Sequence, residues 1–210
     1  MVGFKQASVG RVLLAAGAVA ALAAIGARPA AAHFDSTSKY TYSSCPGTQQ
    51  NRVDPINVVF TVWGTWGRAV SQTGTHAGWT NTSGTTEYFV DHGSCYPMHA
   101  QVASGTFSRF HIRVRGQHPD DVLGWTATGD AHHEDFVVFP VLCGHAVDSN
   151  GPSGSGFDQG RDELEDRFAS AGHRTYRVWW GNTQSFKQCD GDYAGSDGWT
   201  AFIELHQLNH

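Results

Sequence analysis

Arg109-Phe110-His111-Ile112-Arg113-Val114-Arg115 alternates without a break between an apolar side chain and a cationic or imidazole one. Successive side chains of a strand point to opposite faces, so the stretch sends Phe110, Ile112 and Val114 into a core and sets Arg109, His111, Arg113 and Arg115 on the other side. A helix would scatter both sets around its circumference. The reading is a sheet with one apolar face and one face bearing a row of cations.

Neighbouring segments extend that sheet. Past a polar loop at 116–121, Leu123, Trp125 and Ala127 alternate with Gly124, Thr126 and Thr128, predicting a partner strand that ends at Gly129-Asp130. Upstream, Ile56, Val58, Phe60 and Val62 alternate with Asn57, Val59, Thr61 and Trp63; apolar on nearly both faces, this run suits the middle of a sheet. Phe136 to Cys143 is β-prone but interrupted by Pro140, as at an edge or bend. Tyr176, Val178 and Trp180, then Trp199, Ala201, Ile203 and Leu205, supply two closing strands.

Between them, Phe157, Leu164, Phe168 and Ala171 recur at helical spacing behind a Gly/Ser/Pro turn at 151–156, with Asp158 as the expected cap and Gly172 just past the end. Glu163 and Arg167 form an i, i+4 pair on that helix. The glycine-rich, polar stretch 64–84 predicts a long loop, and Thr85 to His92 a short helix stopped by Gly93. The fold class is α+β: a single domain, mostly antiparallel sheet with one long and one short helix, disulfide-linked.

At the other end of the chain, Lys5 and Arg11 precede an apolar, alanine-rich run from Val12 to Ile25, and Ala30-Ala31-Ala32 offers a small-residue cleavage site. The organisation predicted is a signal peptide over 1–32, an extended arm over 33–53 and one α+β domain over 54–210, in a secreted, extracellular protein; the alanine-rich signal has a bacterial look. Without Lys5, Arg11 and Arg28 the remaining 11 basic and 19 acidic side chains leave a formal charge of −8. Such a balance argues against nucleic acid as a partner. No other apolar stretch approaches the roughly 20 residues that span a bilayer, so the mature form is expected without transmembrane anchoring. Cys45, Cys95, Cys143 and Cys189 form an even set in an exported chain and read as two disulfides, with Cys45–Cys95 and Cys143–Cys189 favoured because they close the shorter loops.

Chemistry-bearing side chains concentrate between Arg109 and Asp162. Imidazole and carboxylate are the usual nitrogen and oxygen donors for a divalent metal such as zinc, iron or manganese, and His132, His133, His145 and Asp148 are the candidate ligands. Catalytic candidates are His132, His133, Glu134 and Asp158, with Glu134 as base toward a metal-bound water. Arg109, His111, Arg113 and Arg161 could hold a small anion by forked hydrogen bonds; the better reading of the arginine row is pairing with carboxylates across the sheet, or with Asp158 or Asp162 if the long helix covers that face.

Taken in order, Arg109-Phe110-His111-Ile112-Arg113, Gly124-Trp125 through Gly129-Asp130, His145-x-x-Asp148 and Asp158-Gln159-Gly160-Arg161-Asp162 resemble the LssY C-terminal-like domain over about residues 54–180. The resemblance implies an α+β domain associated with bacterial envelopes; the chain departs from it in its four cysteines and in lacking membrane spans. The function expected is small-ligand or metal binding, with a small anion or an envelope component as partner. Two readings stand beside it: a metal-assisted or carboxylate-based hydrolase, and a non-catalytic module that docks a partner through the tryptophans of 63–79.

Overall fold

The computed structural model describes residues 39–48, 50, 52–62, 66–82, 87–91, 94–105, 108–116, 126–137, 144–149, 155–188 and 192–205. Its centre is a hairpin: β8 (Ser108–Gly116) pairs antiparallel with β9 (Thr126–Val137) from Ser108↔Asp135 to Gly116↔Ala127. Around it an eight-stranded sheet runs in the order β11 (Arg174–Trp179), β14 (Trp199–Leu205), β3 (Val58–Val62), β9, β8, β7 (Ala100–Ala103), β4 (Thr80–Thr82). β10 (Gly144–Val147) pairs with the far end of β9, and every pairing is antiparallel except β14 with β3.

The alternation in β8 sorts two layers. Ile112, Val114, Ala127, Ala131, Val58, Phe60 and Ile203 make one face, buried under α1 (Trp66–Ala77) and α2 (Gly156–Ser170) through Ala69, Leu164 and Phe168. The opposite face, with Arg113 and Asp130, is met by a second sheet of order β2 (Arg52–Pro55), β1 (Tyr40–Tyr42), β5 (Tyr88–Asp91), β6 (Ser94–Pro97). A two-stranded ribbon, β12 (Ser185–Lys187) and β13 (Tyr193–Gly195), completes the described elements, and His33–His210 forms one compact unit. Cys45 and Cys95 are joined; the pair Cys143 and Cys189 lies outside the described residues, as do the side chains of Trp63 and Trp125. No helix among the described residues is long and apolar enough to cross a membrane.

Several expectations give way. The predicted loop over 64–84 contains α1, whose Trp66, Ala69, Val70, Thr73 and Ala77 form a helical stripe. Its threonines satisfy their own hydroxyls on the preceding turn, Thr73 Oγ1 to Ala69 O at 2.8 Å and Thr75 Oγ1 to Ser71 O at 3.0 Å, and Gly78 ends it at φ 71°. The short helix predicted over 85–92 is instead β5, because Tyr88, Phe89 and Val90 favour a pleated, half-buried surface. Within the predicted arm, residues 40–42 and 52–53 are paired strand, in β1 and the start of β2. Ser155, not Asp158, stands at the N-cap of α2; the Asp158 carboxylate accepts from Ser155 Oγ, Arg161 and the Asp197 amide. The arginine face turns away from α2, so Arg113 pairs with neither Asp158 nor Asp162. Trp66 stacks on His99 and Trp79 is buried against Phe110, which makes them packing residues of the helix layer.

Candidate metal centre

The hairpin register builds the site. Opposite Arg109 stands Glu134, opposite His111 stands His132, and opposite Arg113 stands Asp130, three successive rungs on one face. Behind them α2 presses on β9 with Gly156 and Gly160: a Cβ at Gly160 would come within 2.3 Å of His132 Cα, and one at Gly156 within 2.3 Å of the His133 carbonyl oxygen. The glycines thus let the helix backbone rest on the strand at His132, whose ring packs edge-on against Phe157 in the first turn of the helix.

Where β3 has ended and β10 has not begun, β9 still needs a neighbour, and the Asn57 amide supplies it. Its Nδ2 donates to Ala131 O at 2.7 Å and Phe157 O at 2.8 Å, while its Oδ1 accepts from Ala131 N at 2.7 Å. One buried side chain thereby completes the ladder beside His132 and ties in the first turn of α2.

His111 and His132 meet edge to face with ring centroids 3.8 Å apart, each 1 % exposed. Glu134 Oε1 lies 2.6 Å from Arg109 Nε and 3.0 Å from His111 Nδ1, and its Oε2 lies 3.4 Å from His132 Nε2. The His111 contact is close but off hydrogen-bond direction: both ring nitrogens of His111 and Nδ1 of His132 are buried with no hydrogen-bond partner among the described residues. Burial, then the electrostatic influence of the neighbouring His132 and Arg113 side chains, hold His111 well below its ordinary pKa, in the neutral form that carries a free lone pair. For Glu134 burial alone would favour the acid, and the two imidazoles at its oxygens reverse the sign and keep it anionic. His111, His132 and Glu134 can bring one donor atom each within 4.8 Å of one another.

A second group, Asp54, Asp130 and His132, has the same compactness. Its cation position is already filled: Arg113 Nη1 sits 2.6 Å from Asp54 Oδ2 and 2.7 Å from Asp130 Oδ2, and Nη2 sits 3.2 Å from Glu87 Oε1. These carboxylates raise the Arg113 pKa against the opposing effect of burial, whereas burial drives Asp130 well above the ordinary carboxyl range despite Arg113. Arg109 and Arg113 are therefore paired with carboxylates across the sheet, while Arg115 donates to the Pro97 carbonyl.

Adjacent residues of a strand face apart, so His132 and His133 belong to different environments. His133 Nδ1 is 2.6 Å from Asp148 Oδ2 at the half-exposed end of β9, with Asp135 close by. His145 lies in β10 opposite Phe136, and its side chain is outside the described residues. Asp158 is engaged at the start of α2, and Arg161, 1 % exposed, forks onto Asp197 with Asp158, Asp162 and the Trp199 carbonyl around it. Of the sequence candidates, His111, His132, Glu134 and Arg109 converge; His133 and Asp148 form a separate surface pair. Asp54, Glu87 and Asn57, from distant segments, join the central face without having been singled out in sequence.

Comparison with protein-family models, with curated proteins and with solved structures gives no match.

Proposed function

We propose that this is a metal-binding protein that takes a divalent first-row ion, zinc being best suited, at His111, His132 and Glu134. The observation that carries the reading is the set of three imidazole nitrogens buried without hydrogen-bond partners beside an anionic carboxylate. Each buried group left unsatisfied costs about 1–3 kcal/mol; a neutral imidazole carries one N–H and one lone pair, so coordination would satisfy one nitrogen per ring. Two imidazoles and one carboxylate form a donor set suited to zinc. Arg109 on Glu134 and the Gly160 contact behind His132 would orient the ligands from the second layer. In this reading the protein acts outside the cytoplasm, which the N-terminal Lys5/Arg11 and apolar run supports and the Cys45–Cys95 bridge suits.

The test is metal analysis of the purified protein after dialysis against zinc or manganese. Stoichiometric metal is expected in the parent protein and in His133→Ala and Asp148→Ala, with loss in His111→Ala and His132→Ala. Saturation at 100 times Kd should raise stability by about 2.7 kcal/mol. Absence of bound metal in the parent, or retention in both inner histidine variants, would overturn the reading.

A further inference from the structure

A cavity of about 460 Å³ opens between β2 and β12, lined by Gln50, Arg52, Asp54, Gln184, Lys187 and Gln188 among others. Among the described residues both walls are unshared strand edges: β2 pairs only with β1, and β12 only with β13. The charges around it are uneven. Asp54 is already taken by Arg113, whereas Arg52 and Lys187 have no carboxylate partner among the described residues. Arg109, Arg113, Arg161, Arg167, Arg174 and Arg177 each have one, whereas Lys39 donates to the Trp180 carbonyl and Arg115 to the Pro97 carbonyl. Two cations without a carboxylate partner thus line one cavity, in a chain with more acidic than basic side chains.

Arg52 is also held in place. Its guanidinium lies 4.4 Å from the centroid of the Tyr40 ring, and its Nη1 donates to Gln184 Oε1 at 3.0 Å. That leaves the edge formed by Nε and Nη2, with Nε buried and without a hydrogen-bond partner. This edge of a guanidinium can give two parallel hydrogen bonds to an oxyanion. Lys187 adds a second positive charge, and the glutamine amides offer further donors.

The geometry points to a small-molecule site in this cavity that binds a carboxylate or phosphate group through the Arg52 guanidinium, with Lys187 as counter-charge. It is independent of the metal at His111, His132 and Glu134, because none of its anion-binding groups belongs to that set. The size of the cavity suits a compact metabolite.

Calorimetric titration of the full protein at low ionic strength with succinate and, separately, with inorganic phosphate tests it. Saturable binding of at least one is expected, weakened at least tenfold in both Arg52→Gln and Lys187→Gln. Binding of succinate alone identifies a carboxylate site, and of phosphate alone a phosphate site. Lys187 makes no side-chain hydrogen bond or ion pair among the described residues, so Lys187→Gln keeps the test valid even if loss of the Tyr40 contact unfolds Arg52→Gln. The His132→Asn variant should bind the same anion as the parent. Lack of binding by the parent to either anion, undiminished binding in Lys187→Gln, or loss in folded His132→Asn would each overturn the proposal, the last by placing the anion on the metal.

Discussion

Asn57 does the work of a missing stretch of strand. Removing its amide strands Ala131 N–H, Ala131 C=O and Phe157 C=O in a fully buried position, and Asn57→Ala should lower stability by about 2–4 kcal/mol, given about 1–3 kcal/mol for each buried group left unsatisfied and partial relaxation. Urea unfolding with an unchanged m-value and a lower midpoint would show it. A single asparagine ahead of an apolar run carries no mark of this role. By contrast, the face assignment of Arg109, His111 and Arg113 follows from two-residue alternation alone. What hid the cluster of His111, His132 and Glu134 was register. Thr128, Asp130, His132 and Glu134 alternate at the same spacing with complementary charge, but ending the second strand at Asp130 separated His132 and Glu134 from their partners. Adjacent His132 and His133 likewise suggest one chelating pair until the strand continues through them and turns them apart.

At the scale of elements, the tightest junction is α2 on β9. Alanine at position 160 would gain up to about 1 kcal/mol from helix propensity but place its Cβ 2.3 Å from the backbone of His132. The backbone cannot rotate aside as a side chain can, so Gly160→Ala should destabilise by about 1–3 kcal/mol and weaken metal uptake by displacing His132. Gly74→Ala in α1 is the control: its nearest new neighbour is the Trp79 carbonyl oxygen at 3.3 Å, and its midpoint of unfolding should barely move. α2 was legible because Phe157, Leu164 and Phe168 recur at helical spacing among charged residues. α1 was not, because glycine, serine and threonine are poor helix formers and only tertiary burial of Trp66, Ala69 and Val70 selects the helix. β5 was misread for a related reason: eight residues ending in His-Gly fit a capped helical turn as well as a strand, and pairing with β1 and β6 decides the matter.

Across the whole molecule, ionisable groups are distributed so that acid acts on both layers. His76, beside Phe168 and 3.1 Å from His173 Nε2, is held below its ordinary value of 6.5 by burial. Its folded form refuses a proton that the unfolded chain accepts, so its effect on stability is absent above pH 6.5 and becomes a loss as pH falls below it. Asp130 runs the other way, since its raised pKa makes protonation favour the folded state. The prediction is therefore differential: with chelator present, the change in unfolding free energy between pH 7 and pH 5 should be less unfavourable toward acid in His76→Gln than in the parent. Equal changes would remove His76 from the account.

The two sides of the central sheet also differ in what water would do to them. Lifting the helices exposes hydrocarbon, which water penalises in proportion to area. Lifting the four-stranded sheet uncovers Arg113 and its carboxylates, which regain hydration as they separate. The least costly breach is thus on the ionic side, where Cys45–Cys95 clips two portions of that cover together and limits how far a transient opening can spread.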